Sequence, residues 1–345
     1  LSETFSIAIP MAGHGTRMRP HTWSKAKPLI HLAGKTVLDY CLAQFDTLPG
    51  VESARWVFIC SPFQLDQVKE YMEKVHPEKK VEYVIQAAMR GQSDALYLAR
   101  EFLQGPMLMS FSDTLIETDL SFLPTVQQDG IAWVKEVPDP RRFGVAEVDA
   151  TGCVTRMVEK PADIHNNRVV VGFYYFKSGA RLMKAIEGQV RRGISLKGEY
   201  FVTDTINVLL EEGAVFTTRS VETWLDAGTR EATLETNCYL LEHGNDNSAE
   251  AARHAGVKVI PPVYLSADAK LEGCTIGPNV SLAEGVEMHN VTVSDAIIER
   301  GAIVENSILT HSHIGRDVVV KGARGRLNIG DNSIVEVDQP IPQQD

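Results

Sequence analysis

Read for its apolar positions, the chain opens with a strand-like run, Phe5–Pro10, that leads into a glycine turn at Ala12–Arg17. Val37–Phe45 has helical spacing, with Val37, Leu38, Cys41, Leu42 and Phe45 on one face. Arg55–Cys60 reads as a buried strand, Leu65–Val75 as a helix and Val81–Ile85 as a strand. Ser93–Leu103 reads as a helix and Pro106–Phe111 as a strand again. Such alternation predicts βαβ units, hence a mainly parallel sheet covered by helices. A mixed section follows, with strands expected at Ile131–Val137, Val145–Val148, Val154–Val158, Val169–Phe176 and Val215–Arg219. Helices are expected at Arg181–Val190, Thr203–Leu210 and Arg230–Leu241.

Around His243–Ala249 the sequence turns polar, a composition suited to a linker. Beyond it the pattern changes character. Apolar residues recur at Leu265, Leu271, Ile276, Leu282, Met288, Val293, Ile298, Val304, Leu309, Ile314 and Val320, always five or six residues apart, with glycines at the turns. Neither a helix nor an alternating strand gives that spacing. Short strands wound three to a coil, each with one inward residue, do give it, as in hexapeptide-repeat β-helices. A run of ordinary hairpins fits the regularity less well. The expected organisation is a doubly wound α/β domain over 1–240, a linker over 241–256 and a β-helix over 257–345.

Composition narrows the class. A chain of 345 residues is long enough for two domains, and 44% hydrophobic with 23% charged residues is that of an ordinary globular protein. No apolar run approaches the roughly 20 residues of a membrane span, so no membrane partner is expected. Leu1–Pro10 lacks the basic start and long apolar stretch of a signal peptide, and the five cysteines are scattered without a Cys-x-x-Cys pair. Reduced thiols and a cytoplasmic location are therefore expected. A net charge of −11 argues against a nucleic-acid partner. One cationic knot, Arg17, Arg19, Lys25 and Lys27, contains no acid and suggests a small polyanion such as a phosphate.

The stretch that carries chemistry is Ala12-Gly13-His14-Gly15-Thr16-Arg17-Met18-Arg19-Pro20, followed by Lys27-Pro28-Leu29. A glycine turn directly after a strand lets backbone N–H groups approach a phosphate without a Cβ in the way. Thr16 adds a hydroxyl, and Arg17 and Lys27 add charge. The Gly-x-x-x-x-Gly-Lys-Ser/Thr signature is absent, and Met18 stands where a dinucleotide fingerprint needs its third glycine.

With these residues the sequence resembles the sugar-1-phosphate nucleotidyltransferases, and the resemblance covers nearly the whole chain. Further segments match in order: Gln86 five residues before Gly91, Ser112-Asp113, Phe143-Gly144-Val145, Glu159-Lys160-Pro161, Gly172-Phe173-Tyr174 and Trp224-Leu225-Asp226-Ala227-Gly228-Thr229. Trp-Leu-Asp-x-Gly-Thr and the run Val170 to Tyr174 look most like the branch that transfers thymidylyl or uridylyl groups to glucose. The resemblance also makes the β-helix left-handed.

The implied reaction is attack by a sugar phosphate oxygen on the α-phosphorus of a nucleoside triphosphate, with pyrophosphate leaving in line. Asp113 follows the apolar run Met107–Phe111, at the carboxyl end of a strand where α/β sheets bind ligands, and Asp226 after Trp224-Leu225 has the same look. Together they suit Mg²⁺. By resemblance, Ala12, Gly13, Gly15 and Thr16 line the nucleotide, Arg17 grips pyrophosphate, and Lys27 holds the α-phosphate side. Lys160 holds the sugar phosphate, Glu159 the sugar hydroxyls, and Gly144 and Val170 border the sugar. Gln86 offers a donor and an acceptor to the imide edge of uracil or thymine, with Gly91 nearby. The pattern departs at Met89 and Gln92 beside Gly91, at Ser112 before Asp113, and at His14.

The expected substrates are dTTP and glucose 1-phosphate. Uridylyl or guanylyl transfer to glucose, mannose or N-acetylglucosamine phosphate stays open, as does a non-catalytic relative that binds sugar nucleotides. A second rival, acyl transfer by the coil with His289, His311 or His313 as base, competes with those histidines being ordinary turn residues. The open end and flat faces of a coil suggest a homo-oligomer.

Overall fold

The structure, a computed structural model, describes residues 4–254 and 256–337. The outer ends of the two expected domains, 1–3 and 338–345, and linker position 255 lie outside it. Packing divides the described chain into two units. Residues up to Gly13 and Cys41–Leu225 form one, and His14–Tyr40 with the residues from Asp226 onward form the other.

In the first unit a nine-stranded sheet runs in the order Val154–Glu159, Gly144–Val148, Arg168–Phe176, Met107–Ser110, Ser6–Pro10, Arg55–Cys60 and Val81–Ile85. Gly130–Glu136 joins Arg168–Phe176 to the ninth strand, Phe216–Ser220. Ser6–Pro10 pairs in parallel with both Arg55–Cys60 and Met107–Ser110. Arg168–Phe176 runs antiparallel to its neighbours. The central strands are buried on both faces, as Ile7, Ala8, Ile9 and Val57 to Cys60 show, which is why their sequences are continuous apolar runs. Helices Gly179–Arg191 and Val202–Glu211 add Leu182, Ile186, Ile206 and Leu209 to the same core.

One expected helix is shorter than its pattern. Gln92–Leu98 is helical, but the chain continues through i→i+3 bonds, Ala99 to Leu96, Phe102 to Ala99 and Leu103 to Arg100. Those turns keep Ala99 and Leu103 on the buried face, so apolar periodicity alone cannot tell them from helix.

The second unit contains the parallel β-helix. One face stacks Lys270–Glu272, Glu287–His289, Ile303–Glu305, Val319–Lys321 and Ile334–Glu336, whose paired residues lie 15 to 17 positions apart. Each coil is thus slightly shorter than three full hexapeptides. Of the apolar ladder, all but the half-buried Leu271 are buried. Corners use asparagines with positive φ, such as Asn290 and Asn306, and the Asn290 amide donates to Asn306 Oδ1 at 3.3 Å. The polar stretch expected as a linker is ordered. It carries a π turn, Leu241–Asn245, and helix Ser248–Ala251, and Asp246 Oδ1 accepts from Ser248 N and Val263 N. Its polar residues bond backbone, so their composition does not mark slack chain.

No helix among the described residues is long and apolar enough to cross a membrane.

The ladder makes a direct prediction. Ile298 is fully buried inside the coil and Ile308, on a neighbouring strand, is 48% exposed. Ile298→Ala should cost about 2–5 kcal/mol and Ile308→Ala less than about 1 kcal/mol, measured as shifts of the denaturant midpoint. Equal shifts would contradict the inward assignment.

Candidate active site

The glycine loop is shaped by bonds to its carbonyls. Met11 N donates to Ile59 O, which ends the strand, and Gln64 Nε2 donates to Gly13 O at 3.0 Å. Gly13 is exposed, and nothing lies within 4 Å of where its Cβ would stand. Gly15 has φ 59°, a left-handed conformation natural to glycine, and its carbonyl accepts from Thr22 Oγ1 at 2.8 Å and Met18 N at 2.9 Å. The second of these bonds starts the short turn Thr16–Met18, in which Thr16 and Arg17 are exposed and Met18 is buried.

Met18 packs in a small core with Ile30, Leu32, Val37, Ala227, Leu234 and Ile297. Ala227 follows Asp226, so the Thr16–Met18 turn and Asp226 hang from one core beside helix Arg230–Leu240. Asp226 Oδ1 accepts from Gly228 N at 2.7 Å, and its backbone oxygen accepts from Thr236 Oγ1 at 3.0 Å. Lys27 is buried at the start of the turn Lys27–Leu29. Lys25 does not join these cations. Its ammonium is buried against Glu299, so the cationic knot read from sequence contains one structural member.

In the first unit, Gln86 follows strand Val81–Ile85 and is buried. Its Nε2 donates to Gly91 O at 3.1 Å and Asp94 Oδ2 at 2.9 Å, and Arg90 holds Asp94 Oδ1 through Nε and Nη2 at 3.1 and 2.6 Å. Both partners of Nε2 are acceptors, which fixes the amide's orientation. The expectation that Gln86 supplies a donor as well is corrected here: both amide hydrogens are committed. Gly91, at φ 96°, passes so close to the Tyr200 backbone that no Cβ fits. Asp113, half-buried, sits in the turn after Met107–Ser110, where Phe111 N donates to Gly172 O. Burial, with the nearby Asp113 charge adding to it, pushes the Cys41 thiol up to about 12.

The remaining predicted residues meet through strand register. Glu159 pairs with Gly144 across the antiparallel strands Val154–Glu159 and Gly144–Val148. A Cβ on Gly144 would stand 2.7 Å from Thr203 Cγ2 and 3.0 Å from both Glu159 Oε2 and Val170 Cγ2. Thr203 Oγ1 donates to Glu159 Oε2 at 3.0 Å. Lys160 has φ 50° and carries its Nζ 4.6 Å from the Phe201 ring centroid. Burial raises the Glu159 carboxyl above its ordinary value despite the Thr203 bond and the Lys160 charge. Trp224 packs edge-on to Phe143 at 5.2 Å, and its buried indole N–H has no hydrogen-bond partner among the described residues.

Sequence reasoning missed Thr203, Phe201 and Asp94. Thr203 and Phe201 sit at the start of helix Val202–Glu211, and nothing in Tyr200-Phe201-Val202-Thr203 announces a partner 44 residues away. Asp94 did carry a signal: Arg90 stands four residues before it. The three coil histidines form no common site. His313 is buried against Glu299, His289 is exposed beside Glu272, and His311 is exposed beside Asp295.

Comparison with known proteins follows the same lines. The nucleotidyl transferase family model matches residues 8–243. The chain is 28% identical to a glucose-1-phosphate thymidylyltransferase of Streptomyces griseus, over 94% of this chain and 97% of that one. It is 29% identical to the low-salt glycan biosynthesis nucleotidyltransferase Agl11 of Haloferax volcanii, over 93% and 97%. It is also 29% identical to the bifunctional protein GlmU of Methanocaldococcus jannaschii, over 69% of this chain but 54% of that one. Among solved structures, a Bacillus anthracis protein assigned as a glucose-1-phosphate thymidylyltransferase, in complex with sucrose, superposes with a TM-score of 0.59. At 20% identity, over 69% of this chain and 95% of that one, this likeness concerns the fold.

Glu159 yields a pH prediction. Its folded pKa is raised, so the folded state favours the protonated form, and that stabilisation is lost as pH rises from 4.5 through the folded value. Glu159→Gln keeps an oxygen for Thr203 and removes the half-buried charge. Its thermal midpoint should exceed that of the native protein at pH 7–8, and the difference should vanish near pH 4. A midpoint lowered at neutral pH would show that the carboxylate stabilises the fold.

Proposed function

The chain belongs to the nucleotidyl transferase family, and from that premise we propose that it joins a nucleoside monophosphate to a sugar 1-phosphate and releases pyrophosphate. The observation that carries this reading is the glycine loop. Its carbonyls are occupied from behind by Gln64, Thr22 and Met18, while the outer side of Gly13 is open and Arg17 is exposed on an anchored turn. That arrangement suits a polyphosphate. Ala12, Gly13, Gly15 and Thr16 line the triphosphate; Arg17 meets the leaving pyrophosphate and Lys27 the α-phosphate.

In the reaction, an oxygen of the sugar phosphate forms a bond to the α-phosphorus as the bond to pyrophosphate breaks. The nucleophile is already ionised at neutral pH, since a phosphate monoester has its second pKa at about 6. No general base is required. The chain's work is to cancel repulsion between two anions and hold them in line. Lys160 takes the sugar phosphate, and Glu159 accepts from sugar hydroxyls. Gly144 and Val170 border the ring; glycine at 144 lets Thr203, Glu159 and Val170 close together there, since a Cβ would stand 2.7–3.0 Å from all three. The Trp224 indole N–H is a further donor for this pocket. Asp113 and Asp226, oxygen donors both, would hold Mg²⁺, which would supply neutralisation of phosphate charge.

For the substrates we favour dTTP and glucose 1-phosphate. Gln86 Oε1, as an acceptor with Gly91 beside it, matches the imide N–H of thymine or uracil. Guanine presents an N1–H to the same atom, and this keeps uridylyl and guanylyl transfer, with glucose, mannose or N-acetylglucosamine phosphate, as the second reading. We also propose that the protein works in the cytoplasm and that it is a homo-oligomer, the latter because Ile308 and Ile334 on the coil are 48% and 71% exposed.

Pyrophosphate release measured across dTTP, UTP, GTP and ATP with each sugar phosphate tests the reaction. Turnover should be highest with dTTP and glucose 1-phosphate and should stop on chelation of divalent metal. Arg17→Ala or Asp226→Asn should lower kcat/KM by about 100-fold or more, the usual cost of one transition-state charge contact. No release with any pair would end the proposal.

A further inference from the structure

The segment between Arg19 and Lys27 has little regular structure of its own, yet it is bolted to the coil by a buried polar cluster within the second unit. Lys25 and Glu299, 1% and 2% exposed, form a direct ion pair, and Lys25 Nζ also lies 3.6 Å from Asp331 Oδ1. Asp331, its side chain fully buried, accepts from Ser24 Oγ at 2.6 Å and from Arg316 Nε and Nη2 at 2.8 Å each. Four residues before Lys25, His21 donates from Nε2 to Asn328 Oδ1 at 2.7 Å and stacks on His313 at 3.6 Å with planes 15° apart. His313 in turn donates from Nε2 to Glu299 Oε1 at 3.1 Å. Gly330 lies under Pro20, where a Cβ would stand 2.8 Å from Pro20 Cβ.

Charges in this cluster balance, with Lys25 and Arg316 against Glu299 and Asp331. Both imidazoles are neutral Nε2–H tautomers, because each Nε2 faces an acceptor oxygen. Burial, then the adjacent His313, lowers His21 to about 3, and burial lowers His313 as well. His21, Glu299 and His313 also place ligand-capable atoms within 4.8 Å of one another. A metal ion needs to lie near the plane of each imidazole at about 2.0–2.1 Å. Two nearly parallel rings stacked at 3.6 Å offer no such shared position, and the Lys25 ammonium already neutralises Glu299. The cluster is a charge lock.

We infer that Lys25 and Glu299 are positioning residues for nucleotide binding: the coil sets the placement of Arg17 and Lys27 by locking the segment that joins them. This rests on the phosphate-gripping roles proposed above. The segment supports it by its alternation, since His21 and Lys25 are buried while Trp23 is 66% exposed. Two cores thus hold Arg17 and Lys27 in place, Met18 on one side and the charge lock between them. The lock is contributed by residues at 299, 313, 328 and 331, far beyond any expected catalytic domain.

Removing one partner of a buried pair strands a charge and destabilises the fold, whereas removing both is often tolerated. The test therefore uses the full-length double variant Lys25→Met/Glu299→Gln, with Gly330→Ala as a second variant that wedges Pro20 without altering charge. A control, Lys270→Met/Glu287→Gln, removes an exposed ion pair from the same coil. Hydrogen exchange over residues 14–24 should accelerate at least tenfold in the first two variants, while the strands of the coil stay protected. The KM for the triphosphate should rise about tenfold, and that for the sugar phosphate should stay within twofold. The control should change neither. Unchanged exchange, or faster exchange with an unchanged triphosphate KM, would overturn the inference; so would equal rises in both KM values. If the native protein releases no pyrophosphate with any substrate pair, the proposed reaction fails and the catalytic part of the inference falls with it. Exchange still decides separately whether the lock exists.

Discussion

An ammonium group removed from water must be met by charge, and that requirement organises the second unit. Lys25 is matched by Glu299, 274 residues further along the chain. Burial alone would raise the Glu299 and Asp331 carboxyls, but Lys25 and their hydrogen-bond donors outweigh it, and both end below the ordinary range. A coil is a good partner for such a lock, because its stacked register fixes Glu299, His313 and Asp331 on successive turns independently of the segment they receive. Residues 14–40 need this. They contain two single-turn 3₁₀ helices, a hairpin of two-residue strands and the start of one helix, too little hydrogen bonding to define their own course.

The parts of the fold that were legible in sequence are those whose burial is uniform. Arg55–Cys60, buried from Trp56 onward, is a strand at the residues its apolar run marks. The five-to-six-residue period is the coil's inward ladder, of which every member but the half-buried Leu271 is buried. Legibility fails where one pattern serves two geometries. Ala99 and Leu103 keep helical periodicity through i→i+3 turns, and Asp246 and Ser248 look like linker residues while bonding the coil's backbone.

For the candidate site, sequence order located the residues better than it located their hydrogen bonds. Gln86 and Gly91 are adjacent as their spacing suggests, but the side that Gln86 presents is decided by Asp94 and Gly91 O, and no motif encodes an amide's orientation. Gly144, Glu159 and Val170 converge because register pairs the first two and Val170 follows in the next strand. Thr203 arrives from a helix that sequence could place but not aim. Lys25 is the sharpest case. Counted along the chain it belongs with Arg17 and Lys27, and its burial against Glu299 is visible only in the fold.

Two glutamates, Glu299 buried and Glu159 half-buried, show what distinguishes architecture from chemistry here. Glu299 faces Lys25 and the His313 N–H, and its carboxyl is lowered, so folding is favoured by its charge. Glu159 faces Thr203 and the more distant Lys160, and its carboxyl is raised, so folding is opposed by its charge. Both lose water; only one is repaid within the fold. A carboxylate whose burial is not fully compensated has hydrogen-bonding capacity still to satisfy. The incomplete partnership at Glu159 is therefore the physical argument for a ligand beside Gly144 and Val170. The completed partnership at Glu299 leaves that carboxylate nothing to offer a ligand.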